Sequence, residues 1–460
     1  VGRGALQADR PAARPPARLP DPELCVMASP FAVEVEVAAA AVAAQDAGQS
    51  VFGAPPGVAE EKLPLPYEVR RAWPADWDLL PALTGEVDMP LQSEPARYLH
   101  ADLEVRPLSG RGRGVIATRT IRAGELLLLD TPLATAESYE VLLEVLGTRS
   151  RDDEAFRRKV LSMCGDASDE AARAKVGQPP SKLLLRNIVR HNYHGVDPTP
   201  INGELLLGEP TVGLWPLGSL VNHSLRPNVT RTFAGHCSCY RSIKPIAAGE
   251  EVLDNYLDLR LPRSMRQDMM RRNHGMDDEG PDACDAAAAS VEEVQAACKG
   301  AMAHQGEATQ EVAQASFVVL AGVTNKIMEI GVQDPVFADV FRDFALLAGQ
   351  LGDVDMSLQG LAQAIEFATA REPYSVISYV LALRMLHMAC LAKGEVDAQT
   401  RGGVEALARK HFKLVFGPLP GAFEALNPKI VRQLAELSSP SSAPAFASGG
   451  PPVEKRPRTE

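Results

Sequence analysis

Two hydrophobic periods divide this chain, and no single repeating element can satisfy both. Between Leu103 and Tyr256 most apolar residues fall in short runs broken by glycine and proline, the pattern of short strands joined by turns. Leu103 to Leu108, Val115 to Ile121 and Leu126 to Leu129 are such runs, and more occur from Ile201 to Tyr256, punctuated by Gly203, Gly208, Gly213, Pro216 and Gly218. From about residue 137 to 190 the period is helical, with a break at Gly177 to Pro180. Residues 257 to 275 read as a helix with a basic end (Arg263, Arg266, Arg271, Arg272). Farther on, the three-four spacing of a helix face recurs. It is seen at Leu320, Val323, Ile327 and Ile330, and again at Phe337, Val340, Phe344 and Leu347. Leu358, Leu361, Ile365 and Ala368 repeat it, as do Val404, Leu407, His411 and Leu414. The expected class is α+β: a β-rich core with a helical insert, followed by an all-helical C-terminal domain built as a bundle or solenoid. No repeat signature specific to tetratricopeptide units is present.

With 460 residues, 45% of them hydrophobic, the chain can bury its cores without disulfide or metal staples. Residues 1–60, rich in Ala and Pro, are expected to form a disordered arm, residues 277–300 an acidic and Ala-rich linker, and residues 438–460 a disordered tail. Residues 100–276 then form the β-rich domain and residues 301–437 the helical one. Trp73, Trp77, Leu79, Leu80 and Leu83 make a small apolar cluster expected to pack on the next segment of the chain. The first residue is Val1, and Met27-Ala28-Ser29 offers an alternative start; an Arg- and Ala-rich transit segment is the other reading of the N-terminus. Lys455-Arg456-Pro457-Arg458 reads either as a nuclear signal or as a solvated tail.

A net charge of −12 argues against general affinity for nucleic-acid phosphates and is compatible with a basic peptide partner. The seven cysteines, Cys25, Cys164, Cys237, Cys239, Cys284, Cys298 and Cys390, are an odd and scattered set, which suits a reducing compartment. Apolar runs fall short of the roughly 20 residues a membrane helix needs, so no span is expected. Cys237-Ser238-Cys239 alternates as a strand does, so both sulfurs face one way and are expected in a core rather than on a metal.

Three motifs carry the chemistry. Gly110-Arg111-Gly112-Arg113-Gly114 joins two strand patterns, and by itself it reads as a hairpin turn. Asn222-His223-Ser224-Leu225-Arg226-Pro227-Asn228 would alone read as a turn. It is followed, after one strand pattern, by Gly249-Glu250-Glu251-Val252-Leu253-Asp254-Asn255-Tyr256. In this order and spacing the three together resemble the SET family of protein-lysine methyltransferases, closest to the SET and MYND type and to tetratricopeptide-associated SET proteins. The resemblance covers roughly residues 100–276.

It implies a SET fold with a knot-like core and S-adenosyl-L-methionine as cofactor. The glycine turn, Gly112, Arg113 and Gly114, would lie against the cofactor's amino-acid end, where no Cβ can intrude. Asn222 and His223 would bind the cofactor by side-chain and backbone hydrogen bonds; a buried Asn amide left unsatisfied would be the physical reason for a ligand. Asn192, in His191-Asn192-Tyr193-His194, resembles a further cofactor contact, with a capping or turn role as the alternative. Tyr256 would be the catalytic tyrosine between cofactor and lysine. A phenol with a pKa near ~10 is not a strong base at neutral pH, so its implied work is orientation. A sulfonium about 5 Å away at an effective dielectric near 20 disfavours an ammonium by about 3 kcal/mol, so cofactor binding itself would favour the neutral amine. No metal is expected, His191 and His194 included, because no further ligands sit at suitable spacing.

The chain also departs from its relatives. Only Cys164 lies where a MYND finger would stand, and only Cys284 comes after His274-Gly275-Met276-Asp277-Asp278, so the zinc finger and the zinc cap are both expected to be absent. Met276 stands in place of a channel-closing aromatic, Leu225 in place of a cysteine, and Asp254 where an apolar residue is usual. The expected partner is a protein presenting a lysine, histone or not, with no direct nucleic acid and no membrane. The expected location is nucleus or cytoplasm, with plastid or mitochondrion as the lesser option. A catalytically silent SET-helical scaffold and a methyltransferase for a plastid or translation protein are the alternatives.

Overall fold

A computed structural model describes residues 68–72, 97–109, 111–163, 178–196, 200–201, 204–205, 211–276 and 310–438. The expected arm, the linker, the Trp73 to Leu83 cluster, Cys164 and the expected tail apart from its first residue, Ser438, which closes the last helix, lie outside them.

The β-rich half opens with β1 (Arg97–Leu99), β2 (Leu103–Leu108), β3 (Gly112–Ala117), β4 (Leu126–Asp130) and β5 (Ala134–Ala136). A helical insert comes next: α1 (Tyr139–Asp152), α2 (Glu154–Leu161) and α3 (Lys182–Asn192), where Ser138, Asp153 and Ser181 each accept a backbone N–H as N-cap. Strands then return as β6 (Tyr193–Val196), β7 (Pro200–Ile201), β8 (Glu204–Leu205), β9 (Thr211–Leu214), β10 (Asn222–His223), β11 (Val229–Ala234), β12 (Cys237–Ser242) and β13 (Leu253–Asp254). They form several small sheets. The largest has the order β1-β4-β12-β11, while β5-β9-β6, the β2–β3 hairpin and the parallel pair β10–β13 complete the part around the site. Residues 68–72 dock on its edge, with Arg70 bridging Tyr98 and Arg71 donating to the Leu103 carbonyl at 2.8 Å.

After α4 (Arg263–His274), closed by Gly275 in the left-handed conformation, come α5 (Gln310–Ile330), α6 (Ala338–Gln350), α7 (Val354–Ala368), α8 (Val376–Leu391), α9 (Ala398–Val415), α10 (Ala422–Leu426) and α11 (Pro428–Ser438). Each of α5 to α9 packs on the next, and α9 also packs on β11 and β12. The helical half is therefore not a free-standing bundle. Tyr98, Leu129, Ala234, Cys237 and Cys239 share one buried core with the helices. On the opposite face of the same sheet, Leu128 and Tyr240 belong to a second core with Leu103, Val115 and Leu220. Cys239 stands opposite Leu129 and Tyr240 opposite Leu128, so the period-two alternation sends the cysteines toward the helices, as their spacing predicts.

One helix face differs from the sequence expectation. On α9 the fully buried residues are Val404, Ala408, His411, Phe412 and Val415, while Leu407 and Leu414 are half-buried. His411, expected on that face, is buried and makes a hydrogen bond with Ser378 at 2.9 Å, which lets a polar ring occupy the core. Among the described residues no helix is long and apolar enough to cross a membrane.

Candidate active site

Parallel pairing of β10 with β13 sets Asn222 opposite Leu253 and His223 opposite Asp254, bringing the second and third motifs side by side. Asn228 holds the register with its side chain: Nδ2 donates to the Glu251 carbonyl at 2.7 Å, and Oδ1 accepts the Leu253 N–H at 2.8 Å. This buried amide does the work of a missing strand neighbour.

Tyr256 emerges two residues beyond β13. Its backbone N–H donates to His223 Nδ1 at 3.0 Å and its hydroxyl donates to the Val221 carbonyl at 2.7 Å, with the Tyr256 and His223 ring centroids 5.2 Å apart. Because Nδ1 accepts, the neutral His223 ring carries its proton on Nε2. Burial, then His274, Arg111 and Arg266, pull the His223 pKa down to about 3. That Nε2 is shut off from solvent and has no protein partner. A buried donor left unmet costs about 1–3 kcal/mol, which a ligand acceptor would recover.

The glycine turn closes over the same spot. Asn222 Nδ2 donates to the Arg113 carbonyl at 2.9 Å and to Glu251 Oε1 at 2.7 Å. Arg111 completes the ring, pairing with Glu251 Oε2 at 3.2 Å and donating to the His223 carbonyl at 2.8 Å. The Asn222 amide is thus satisfied within the protein, whereas His223 Nε2 is not, and neither is the buried Nε2 of His194 beside Tyr256. Gly112 takes a φ of 71°, open to glycine at little cost. At Gly114 a Cβ would lie 2.3 Å from Leu108 Cδ1, 2.7 Å from Glu251 Oε1 and 3.1 Å from Asn222 Nδ2, so the space is needed by the protein's own network. The Arg113 side chain turns away and donates to the Ser162 carbonyl at 2.8 Å, just beyond α2.

Asn192, the last residue of α3, is buried, and its Nδ2 donates to the Ile188 carbonyl one turn back at 2.7 Å. Two residues on, His194 lies edge-on to Tyr256 at 6.4 Å and 6.1 Å from Trp215. His274 approaches Tyr256 from α4 at 4.9 Å. Burial, then Arg231 and His274, hold His194 well below the ordinary histidine range. Burial, then His191 and Arg190, bring His274 to about 4. Three neutral imidazoles therefore surround the tyrosine. Met276 is 41% exposed, and from its segment it is His274 whose ring meets Tyr256. Leu225 is buried, and Asp254 is buried beside Arg231 at 3.5 Å. Among the described residues no group of His, Cys, Asp or Glu is arranged to hold a metal ion.

The resemblance pointed to Gly112, Gly114, Asn222, His223 and Tyr256, which lie together in the structure. It missed Arg111, Glu251, Asn228 and Arg231, whose partners lie far away along the chain. The only available signal was their position inside or beside the motifs.

Residues 112–257 match the SET domain family model. The chain is similar to "Histone-lysine N-methyltransferase set5" of Schizosaccharomyces pombe, 26% identical over 176 residues, covering 37% of this chain and 47% of that protein. It is also similar to "N-lysine methyltransferase SMYD2" of Gallus gallus, 39% identical over 61 residues, covering 13% of this chain and 14% of that protein. The matched part spans at most about half the length of these relatives. A solved structure described as "Crystal structure of the SET domain of LSMT bound to Lysine and AdoHcy" aligns over 78% of this chain and 91% of that chain, at 11% identity and a TM-score of 0.25.

Proposed function

We propose that this SET-domain chain transfers methyl groups from S-adenosylmethionine to the side-chain amine of lysine in a protein substrate. The observation that carries the reading is the convergence of the glycine turn, Asn222-His223 and Tyr256, tied together by the His223 Nδ1 bond to the Tyr256 N–H. The names of the relatives point to the same chemistry.

The residues fit the cofactor at one identifiable atom, the buried His223 Nε2–H. Gly112, Arg113, Gly114, Asn192, Asn222 and His223 are the residues assigned to hold it in this reading. When bound, S-adenosylmethionine supplies a methyl group on a cationic sulfonium. Everything else falls to the chain. Arg111 and Glu251 fix Asn222 and the His223 carbonyl, so the binding groups are in place before a ligand arrives. The Tyr256 hydroxyl commits its proton to Val221 and therefore meets an amine as a hydrogen-bond acceptor, orienting its N–H groups. The neutral imidazoles of His194, His223 and His274 add no positive charge that would repel a lysine. No general base is required of them.

This reading includes a nuclear or cytoplasmic location, supported by the scattered cysteines, which suit a reducing compartment. Its test is calorimetry of S-adenosylmethionine with the whole chain, together with transfer of labelled methyl to lysine-bearing proteins, histones among them. Saturable cofactor binding and label on lysine are expected. Absence of binding by the folded chain contradicts the reading and favours a scaffold.

A further inference from the structure

We propose that Arg231 is a positioning residue for Tyr256. The role assigned to Tyr256 rests on the methyl-transfer reading above.

Arg231 lies on β11, and its guanidinium reaches two elements that border Tyr256. One Nη donates to His194 Nδ1 at 2.5 Å, and the same group lies 3.5 Å from Asp254 Oδ2. Arginine has no acceptor, so His194 Nδ1 must accept, and the imidazole is held neutral with its proton on Nε2. His194 is the ring edge-on to Tyr256, and Asp254 is two residues before it on the strand paired with His223. A single cation thus fixes one wall of the tyrosine's surroundings and the strand that delivers it.

Glu372, in the segment between α7 and α8, hydrogen-bonds Thr230 next to Arg231, and burial pushes its carboxyl up to about 8, so it meets β11 as a neutral hydrogen-bonding group. Arg371, next to it, pairs with the buried Asp334 ahead of α6, which anchors that segment to its own domain. On the far side of Tyr256, Arg260 pairs with Asp258 at 2.6 Å and with Asp339 of α6 at 3.0 Å. The segment just after Tyr256 is therefore held to the helices by an ion pair.

The test uses the whole chain with Arg231→Met and Arg231→Lys, and reads two signals. Nitrogen NMR of the imidazoles reports the His194 tautomer without reference to activity. In the parent chain it should show a neutral ring protonated on Nε2, also below the ordinary histidine pKa of about 6.5. A ring protonated on Nδ1, or a charged ring, in the parent overturns the proposal even if the variants fail to fold. In Arg231→Met a mixture of tautomers is expected, and an unchanged single tautomer overturns it. Single-turnover methyl transfer by Arg231→Met should fall about 10- to 100-fold, the scale of a small misplacement of a reacting group, with cofactor affinity within about twofold. Arg231→Lys should recover part of the rate. A parental rate in Arg231→Met overturns the proposal. A parent that binds no cofactor removes the methyl-transfer reading, while the tautomer still decides whether Arg231 fixes His194.

Discussion

At the scale of single residues the site is a set of close approaches, and Gly114 is the tightest. Gly114→Ala places a Cβ against Leu108, Glu251 and Asn222 at distances that something must relieve. It is expected to cost about 1–3 kcal/mol of stability in denaturant unfolding, as overpacking does, and to weaken cofactor binding with it. Asn222→Ala removes both donors that hold Glu251 and the Arg113 carbonyl. Cofactor affinity measured by calorimetry should fall by about 1–3 kcal/mol, and unchanged affinity in a folded variant would remove Asn222 from the site. The motif residues were legible because a Gly-rich turn and an Asn-His-Ser run are local signals. That Asn222 would find its partners inside the protein, leaving His223 Nε2 without one, was not. It depends on Glu251 and Arg113, which only the folded chain brings near.

At the scale of elements, periodicity told helix from strand, but not what each face would meet. The alternation of Cys237 and Cys239 gave their common direction correctly. By contrast, α9 buries Ala408, Phe412 and Val415 where Leu407 and Leu414 were expected, and His411, expected on that face, is buried with Ser378 as a partner that no hydrophobic pattern records. His411→Phe removes the ring's partner role and leaves the Ser378 hydroxyl its bond to the Ser375 carbonyl. Because Ser378 keeps that partner, the variant is expected to change stability by less than about 1.5 kcal/mol, the range of volume-similar core swaps, provided Tyr374 still packs on the ring. Urea unfolding of the variant beside the parent checks this.

For the whole molecule, the union of sheet and helices was the least legible feature, since domain boundaries read from composition say nothing about docking. Its electrostatics give a pH profile. His194, His223, His274, His387 and His411 all have folded pKa values below the ordinary 6.5, each chiefly through burial. Their unfolded forms take up protons first, so the stability they contribute is complete above about pH 6.5 and is lost as pH falls from there. Asp130, raised to about 6, Glu372, raised to about 8, and Asp343, also raised, all chiefly by burial, act in the opposite sense and lose stability as pH rises. Five imidazoles outweigh three carboxyls, so the melting temperature should climb to about pH 6.5 and then decline gently toward pH 8, where Glu372 is still protonated in the fold but ionised in the unfolded chain. A flat or inverted profile across the acid range contradicts these burials.

The account as a whole stands on Tyr256 as the residue that orients an amine beside the cofactor, and Tyr256→Phe isolates that claim. The ring keeps its contacts with His194, His223 and His274, and the backbone bond to His223 Nδ1 is untouched, so cofactor titration should be near normal. Only the hydroxyl on the Val221 carbonyl is lost. Single-turnover methylation of a lysine substrate is expected to slow at least ~100-fold or to change the number of methyls added, as when an interaction made in the transition state is removed. Parental rate and product distribution in a variant that still binds cofactor would contradict the account.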